Sequence, residues 1–276
     1  MEGPIQEGRL RTEIDIESTF ECGQIYHWWP TNEGYATSID NELIEFQEWG
    51  EGIKYRTTGV NEARIKEFLG LNDPLEEIYA EITKDDLTRK AVQECQGLRI
   101  IRDDFFACTI SFIASTQSTV SRTTGMIRRL CEEYGETKEG YASYTFPDHR
   151  TLAQTSEEEL REVGLGYRAP YVRRTSEMIE NKEINDETRE MSYYEAHDEL
   201  KRLAGVGDKV ADCVLLFSLG FLNVVALDTW LNRVIDTHYP DLRGETYRET
   251  ADNFREKFSP YAGYAQTYLY HYMRSL

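Results

Sequence analysis

The sequence has few of the residues that hold metals and none of the long apolar runs that cross membranes. Its 276 residues include five cysteines, far apart and without a Cys-x-x-Cys pair, and five histidines without ligand spacing. We therefore expect no zinc or iron–sulfur site. No run of eighteen apolar residues occurs, which argues against a membrane span. The first residues contain neither a basic nor an apolar stretch that would favour export, so we expect an intracellular protein.

Positive charge is also scarce, because the formal net charge is −19. Contacts to phosphate supply most non-specific affinity for nucleic acid. Either the protein does not bind nucleic acid, or its acidic residues cover the surface and its basic residues cluster locally. Dense carboxylates keep a surface hydrated in concentrated salt, which makes a salt-adapted source a hypothesis. Three local groups favour the second alternative: Arg122, Arg128 and Arg129; Arg168, Arg173 and Arg174; and Lys201, Arg202 and Lys209.

The hydrophobic patterning changes near residue 60. Before it, residues 12–16, 35–40, 43–46 and 53–57 alternate between apolar and polar side chains, which predicts an antiparallel sheet. After it, the patterning is helical. We expect an α+β protein in which an N-terminal β-rich domain with closing helices (1–100) packs on an all-helical body (101–276). The predicted helices span 61–69, 73–79, two segments of 103–134 divided at 115–119, 156–163, 168–181, 192–203, 208–220, 228–238, 245–257 and 260–275.

One segment combines a glycine turn, a lysine and a spaced aspartate. Gly205 and Gly207 flank Val206 in a turn that needs residues able to accept a positive φ, and we expect both glycines to supply it, in a helical hairpin over about 197–219. The N–H groups of such a turn, followed by a helix N-terminus, can bind a phosphate. Lys209 begins an apolar helix, and a lysine held against apolar surface loses its proton more readily and becomes a nucleophile. Asp228 follows nineteen residues later. A hairpin with a solvated lysine is the alternative interpretation.

These residues resemble the signature of the helix-hairpin-helix DNA glycosylases, and further segments resemble the eukaryotic-type 8-oxoguanine DNA glycosylase/AP lyases. The resemblance covers roughly residues 10–275 in the same order. It implies an N-terminal antiparallel domain followed by a helical body, no cofactor, and a monomer that acts on double-stranded DNA containing oxidised guanine. It also raises the hypothesis of an archaeal, salt-adapted member. The further segments are 22–28 (CGQIYHW), 112–131, 164–172 (GLGYRAPYV) and 261–270 (YAGYAQTYLY).

The resemblance implies the chemistry of the site. Lys209 would attack C1′ of the sugar, and Asp228 would stabilise the positive charge that develops on it. A purine base would be read by the carbonyl of Gly23 and by the amide of Gln266. Cys213 and Tyr270 would cover the two faces of the base, where the family more often has phenylalanine in place of Tyr270; ordinary core packing is the alternative for this pair.

The resemblance also implies how the duplex is held. The target nucleotide must leave the stack, and Gln117, where the family more often has asparagine, would fill the gap. Tyr167 would wedge the stack, and Arg122 and Arg168 would read the opposite cytosine. Gly205, Val206, Gly207 and Trp230 would contact phosphate, although animal enzymes have histidine in place of Trp230. The alternatives are a helix-terminal cap for Gln117 and a surface pair for Tyr167 and Arg168.

The sequence therefore predicts a bifunctional 8-oxoguanine DNA glycosylase/AP lyase, with two rivals. A monofunctional glycosylase for alkylated bases would share the hairpin and Asp228 but would not need Lys209. A non-catalytic helix-hairpin-helix DNA-binding protein would explain Gly205 and Gly207 but would leave Lys209, Asp228 and Gln266 without a role.

Overall fold

The computed structural model of the protein describes residues 5–275. Five strands form one antiparallel sheet in the order β1-β5-β4-β3-β2. Three of the predicted strands are present, with small shifts at their ends. The strands are β1 (Gln6–Arg11), β2 (Trp28–Pro30), β3 (Gly34–Ile39), β4 (Glu42–Trp49) and β5 (Gly52–Thr57).

Fourteen α-helices follow or interrupt the sheet within the described residues, which confirms an α+β fold. The helices are α1 (Ile16–Glu21), α2 (Glu62–Phe68), α3 (Leu75–Ile82), α4 (Asp86–Glu94), α5 (Phe105–Ser115), α6 (Val120–Tyr134), α7 (His149–Gln154), α8 (Glu157–Glu162), α9 (Ala169–Glu180), α10 (Tyr193–Leu200), α11 (Asp208–Phe217), α12 (Thr229–His238), α13 (Tyr247–Phe258) and α14 (Ala262–Ser275).

The prediction of a strand over 12–16 was wrong. Ile16 instead begins α1, whose N-cap is Asp15, and the Asp15 carboxylate accepts a hydrogen bond from the N–H of Ser18 at 2.8 Å. A capped helix of six residues is too short to show a helical period. The residues around its start, 13–16, alternate between polar and apolar side chains as those of a strand do, because they include the N-cap.

Two hydrophobic clusters form the interior. The smaller cluster lies under the sheet, where Phe46 stacks on Phe68 with ring centroids 6.4 Å apart. The larger cluster fills the helical body and extends to α3 and α4. Because α3 and α4 also belong to this second cluster, the domain boundary at residue 100 stays a prediction.

The last helix, α14, ties the N-terminal part to the body. Two of its fully buried tyrosines bond to the segment that links the two parts: the Tyr268 hydroxyl donates to the carbonyl of Leu98 at 2.7 Å, and the Tyr264 hydroxyl accepts from the N–H of Ile100 at 3.4 Å. These contacts fix the rotation of α14 about its axis, and so determine which of its residues face the loop after α1.

Within residues 5–275, no helix has the length and apolar content needed to cross a membrane. All five cysteines are buried and unpaired in this structure. In the same range, no group of three His, Cys, Asp or Glu side chains is arranged to hold a metal ion.

Candidate active site

The predicted hairpin forms between α10 and α11, but its two glycines differ. Gly205 has φ +80°, and a Cβ there would lie 2.8 Å from Cβ of Tyr171. Only glycine fits such a backbone without strain. Gly207 has φ −102°, an extended conformation open to other residues, so the expectation that both glycines supply positive φ was wrong for Gly207. Nothing lies within 4 Å of a Cβ built on it.

The hairpin leaves part of its backbone free. The N–H groups of Gly205 and Gly207 have no acceptor within residues 5–275, whereas the N–H of Val206 donates to the carbonyl of Leu203 at 3.2 Å. Val206 itself is buried in the larger cluster. Two unpaired N–H groups and the N-terminus of α11 make this turn suited to an anion, while Val206 anchors it.

Lys209 lies in the first turn of α11, half-buried against an aromatic wall. Its Nζ is 5.0 Å from the ring centroid of Phe112, on α5. No carboxylate among the described residues lies within 4.0 Å of its amine. Lys209 and Asp228 line the same small pocket. The amine is thus available to that pocket and is not held in an ion pair by any described residue.

Asp228 is the N-cap of α12. Its carboxylate accepts a hydrogen bond from the N–H of Leu231 at 2.7 Å, and this bond fixes one oxygen and orients the other. Burial raises the pKa of Asp228, although the N–H of Leu231 and the charge of Lys209 act in the opposite direction. The carboxylate and the lysine line the same pocket, which is the arrangement that stabilises positive charge beside a nucleophile.

The remaining predicted pocket residues come together from three distant parts of the chain. Gly23 follows α1 with φ +90°, and a Cβ there would meet Cγ2 of Val120 at 2.9 Å. Cys213 is buried one turn after Lys209, and burial raises the pKa of its thiol to about 11, partly offset by the charge of Lys209. Gln266 and Tyr270 reach the pocket from α14.

The orientation of Gln266 follows from its partner. Its Oε1 accepts a hydrogen bond from the N–H of Ala226 at 2.6 Å, and only the amide oxygen can do this. The NH2 group is then left to serve the pocket as a donor.

The pocket is small in this structure. Its volume is about 60 Å³, the room of roughly two waters. Four residues line both the pocket and a larger outer groove of about 860 Å³, and so form its mouth: Tyr26, Lys209, Asp228 and Tyr270. A purine base can enter only if side chains of this mouth or of the pocket wall move.

The outer groove joins the hairpin to the loop between α5 and α6. Gln117 lies in that loop, exposed, with a left-handed backbone at φ +50°. A strained, exposed residue of this kind is uncommon and is found at functional sites more often than elsewhere. The structure thus places Gln117 at the tip of the loop rather than as a cap of α6, for which Thr119 is the N-cap.

Tyr167 and Arg168 both form hydrogen bonds to this loop. The exposed Tyr167 donates its hydroxyl to the carbonyl of Thr116 at 3.1 Å, and Nε of Arg168 donates to the same carbonyl at 3.1 Å. Arg168 is only 3% exposed and lies over the Tyr167 ring. The two are therefore not a surface pair. Arg122, in contrast, is exposed on the first turn of α6.

The three basic groups of the sequence do not form a free basic surface. Arg173 and Arg174 pair with Glu177, Lys201 with Asp208, and Arg202 with Glu199. Arg128, Arg129 and Arg168 donate to backbone carbonyls instead. Near the groove, four cations have no ion pair within residues 5–275; we refer to Arg122, Lys209, Arg233 and Arg274 as the groove cations.

Trp230 lies on the groove, 38% exposed, in the first turn of α12. The Arg233 guanidinium lies 5.3 Å from the centroid of its ring. The indole can donate one hydrogen bond, and the neighbouring arginine supplies the charge that the indole lacks.

Sequence reasoning missed several residues that line the pocket or the groove, among them Tyr26, Phe112 and Arg274. Tyr26 and Phe112 stand in apolar surroundings, where an aromatic residue is indistinguishable from ordinary core. Arg274 lies on the same helix as Gln266 and Tyr270, and its position four residues after Tyr270 places it on the same face, a signal that was available.

Comparison with known proteins assigns the class. Residues 110–260 match the HhH-GPD superfamily of base excision DNA repair proteins, and the chain belongs to that superfamily. Residues 9–109 match the N-terminal domain of 8-oxoguanine DNA glycosylase.

Individual relatives agree along almost the whole chain. The N-glycosylase/DNA lyase OGG1 of Arabidopsis thaliana is 29% identical over 282 residues, which covers 94% of this chain and 77% of that protein. The 8-oxoguanine glycosylase/lyase of Clostridium acetobutylicum in its apo form superposes with a TM-score of 0.85 and 30% identity, covering 99% of this chain and 100% of that one. The same enzyme in complex with double-stranded DNA containing cytosine opposite 8-oxoG gives a TM-score of 0.86 at 29% identity, over 100% and 99% of the two chains.

Proposed function

We propose that the protein is a bifunctional DNA glycosylase and AP lyase that removes 8-oxoguanine opposite cytosine from duplex DNA, as a monomer inside the cell. The observation that carries the proposal is the pocket in which an unpaired lysine amine, a buried helix-capping carboxylate and an oriented amide meet. The relatives named as 8-oxoguanine glycosylase/lyases support the choice of base.

The proposed reaction begins with the base turned out of the duplex into the pocket, at a cost of a few kcal/mol. The neutral amine of Lys209 attacks C1′, the bond between C1′ and the base breaks, and the electron pair leaves with the base. The carboxylate of Asp228 stabilises the positive charge on the sugar. The departing base takes a proton from the attached amine. The bond between C1′ and the ring oxygen O4′ then opens, O4′ takes a proton from water, and a Schiff base is left between Nζ of Lys209 and C1′. This Schiff base acidifies the C2′ proton, and the loss of that proton eliminates the 3′ phosphate and nicks the strand.

We propose that the protein distinguishes 8-oxoguanine from guanine through one atom, the carbonyl oxygen of Gly23. The carbonyl of Gly23 accepts from the N7–H of 8-oxoguanine, whereas guanine has a bare N7 there that would repel it. One such contact accounts for about 1–3 kcal/mol of preference. The NH2 group of Gln266 is free to donate to the Watson–Crick edge.

The loop that carries Gln117 is proposed to fill the space left by the base. Tyr167 and Arg168 hold the Thr116 carbonyl beside it, so we propose that they act on the duplex partly by shaping this loop. Arg122, exposed and unpaired, then has more freedom than Arg168 to reach the opposite cytosine.

The free N–H groups of Gly205 and Gly207 are proposed to bind a backbone phosphate, with Trp230 and Arg233 at the other side of the groove. The strongly acidic surface leads us to propose adaptation to concentrated salt, in an archaeal source. Activity that is highest without added salt would count against that adaptation.

Borohydride trapping on a duplex with one 8-oxoguanine opposite cytosine tests the reaction. We expect a covalent adduct with the unaltered protein and none with Lys209→Gln. Lys201→Gln is the matched control, because Lys201 lies in the same hairpin but its amine is engaged by Asp208 at 2.6 Å. This variant should still form the adduct.

Other outcomes would select a different function. Base release without an adduct would favour a monofunctional glycosylase, with alkylated bases as the next substrates to assay. Neither release nor an adduct at any salt concentration, together with equal affinity for lesion and undamaged DNA, would leave a binding protein.

A further inference from the structure

A buried carboxylate lies on α11, on a part of the helix that the proposed chemistry does not use. Asp212 is 0% exposed, within an otherwise apolar run from Val210 to Phe217. Among residues 5–275, its closest ion-pair partner is the ring of His197, at 3.8 Å. A carboxylate buried in this way is costly unless hydrogen bonds compensate for the lost water.

Two tyrosine hydroxyls supply that compensation. The Tyr193 hydroxyl donates to one oxygen of Asp212 at 3.0 Å, and the Tyr247 hydroxyl donates to the other at 2.7 Å. Tyr193 is the first residue of α10 and Tyr247 the first residue of α13, so one carboxylate joins three helices.

The two tyrosines differ in what else they contact. The oxygen of Tyr247 accepts a hydrogen bond from the N–H of Leu227 at 3.1 Å, directly before Asp228 in the chain. Within the described residues, the Tyr193 hydroxyl accepts no backbone N–H; the Tyr193 ring is covered by the guanidinium of Arg255 at 4.0 Å. Of the two tyrosine bonds, therefore, only the one from Tyr247 connects Asp212 with the backbone next to Asp228.

The direction of these bonds follows from the N–H of Leu227. A backbone N–H can only donate, so the oxygen of Tyr247 must accept from Leu227, and the Tyr247 hydroxyl is left to donate to Asp212. The preceding N–H in the chain, that of Ala226, donates to Oε1 of Gln266 at 2.6 Å. The segment that leads into Asp228 is thus fixed at two successive peptide groups, by side chains from α13 and α14.

We infer that Asp212 and Tyr247 are positioning residues for the proposed glycosylase reaction, which hold the Leu227–Asp228 backbone so that the Asp228 carboxylate faces the sugar beside Lys209. This inference rests on the proposed function. It assigns Asp212 and Tyr247 no contact with the base or the sugar.

Loss of the Tyr247 hydroxyl leaves the buried N–H of Leu227 without its acceptor, and the segment can then shift to find another. Misplacement of a reacting group by about 1 Å can cost up to ~100-fold in rate. For Tyr247→Phe we expect single-turnover release of 8-oxoguanine to slow about tenfold, while the Kd for lesion duplex changes less than about twofold. Amide hydrogen exchange at Leu227 should become faster in the DNA-free protein.

Tyr193→Phe is the matched control. It removes the other hydroxyl from the same carboxylate and leaves Leu227 untouched, so excision should stay within about twofold of the unaltered rate. Equal slowing by both variants would show that Asp212 and its tyrosines matter only for general stability and would overturn the inference. An unchanged excision rate in Tyr247→Phe, or a loss confined to Kd, would also overturn it.

Should Tyr247→Phe fail to fold, Asp212→Asn takes its place, with the same expectation of slower excision at unchanged Kd and the same refutation. The failure of the proposed function is distinguishable, because it would appear as no release of 8-oxoguanine by the unaltered protein. Exchange at Leu227 needs no DNA and reports on the Tyr247 bond in either case.

Discussion

The two hairpin glycines allow a prediction in which neighbouring, similar substitutions have different effects. Gly205→Ala places a side chain on a backbone with φ +80° and a Cβ 2.8 Å from Cβ of Tyr171. The left-handed conformation costs about 1–2 kcal/mol, and relief of the contact costs about 1–3 kcal/mol more. We expect the free energy of unfolding to fall by about 3 kcal/mol, which lowers Tm by about 6–12 °C in a chain of this size.

Gly207→Ala is the matched comparison. Its φ of −102° suits alanine, and apart from its two chain neighbours no described residue has an atom within 4 Å of the added Cβ. Alanine is a poorer N-cap than glycine, so we expect a loss of about 0.5–1 kcal/mol. The new methyl group lies on the exposed surface where we propose that phosphate approaches. The main effect of Gly207→Ala should therefore be a lower affinity for duplex DNA, whereas the main effect of Gly205→Ala is a loss of stability.

Urea unfolding and DNA titration of the two variants, side by side, measure both effects. Stability of Gly205→Ala within about 1 kcal/mol of the unaltered protein would refute the assignment of strain to Gly205. DNA affinity of Gly207→Ala equal to that of the unaltered protein would refute the proposed phosphate contact.

Three further predictions concern pH, base selection and salt. Burial raises the pKa of Asp212 to about 7, so its favourable contribution to stability is present below its ordinary pKa and lost as pH rises towards 7. Relative to Asp212→Asn, the free energy of unfolding should fall across that range by at most ~1.4 kcal/mol per pH unit; parallel curves in urea unfolding would contradict this. Gly23→Ala, at φ +90° and 2.9 Å from Val120, should reduce the ratio of 8-oxoguanine to guanine excision, and an unchanged ratio would argue against carbonyl recognition. With four groove cations, log Kd for undamaged duplex should change with log salt at a slope of about 4 in magnitude, and a magnitude above ~6 would show additional phosphate contacts.

The sequence predicted the site where a residue type is unusual for its surroundings, and it predicted the helices that are long enough to show a hydrophobic period. The spacing of Gly205, Lys209 and Asp228 predicted a hairpin and two side chains that do share one pocket. The later helices were found because their apolar faces are long enough to show a period. By contrast, α4 (DLTRKAVQE) is largely polar and α7 is six residues long, so both escaped detection.

Other features depend on tertiary contacts that no local pattern records. In β1, only Leu10 is buried, so this edge strand shows no alternation. The burial of Arg168 follows from the position of the Thr116 carbonyl, more than fifty residues away in the chain. Asp212 did leave a signal, since an acidic residue inside an apolar helix must find partners, but those partners, Tyr193 and Tyr247, come from other helices.

Two hydrogen bonds hold the segment before Asp228: Tyr247 accepts from the N–H of Leu227, and Gln266 accepts from the N–H of Ala226. They have a consequence for when the proposed site can form during synthesis. Tyr247 and Gln266 come after Lys209 and Asp228 in the chain, by as much as 57 residues in the case of Gln266 and Lys209. During synthesis, a ribosome-bound chain that already carries the nucleophile and the carboxylate still lacks the two side chains that hold the Ala226 and Leu227 N–H groups. We therefore expect the proposed centre to be complete only after α13 and α14 have emerged.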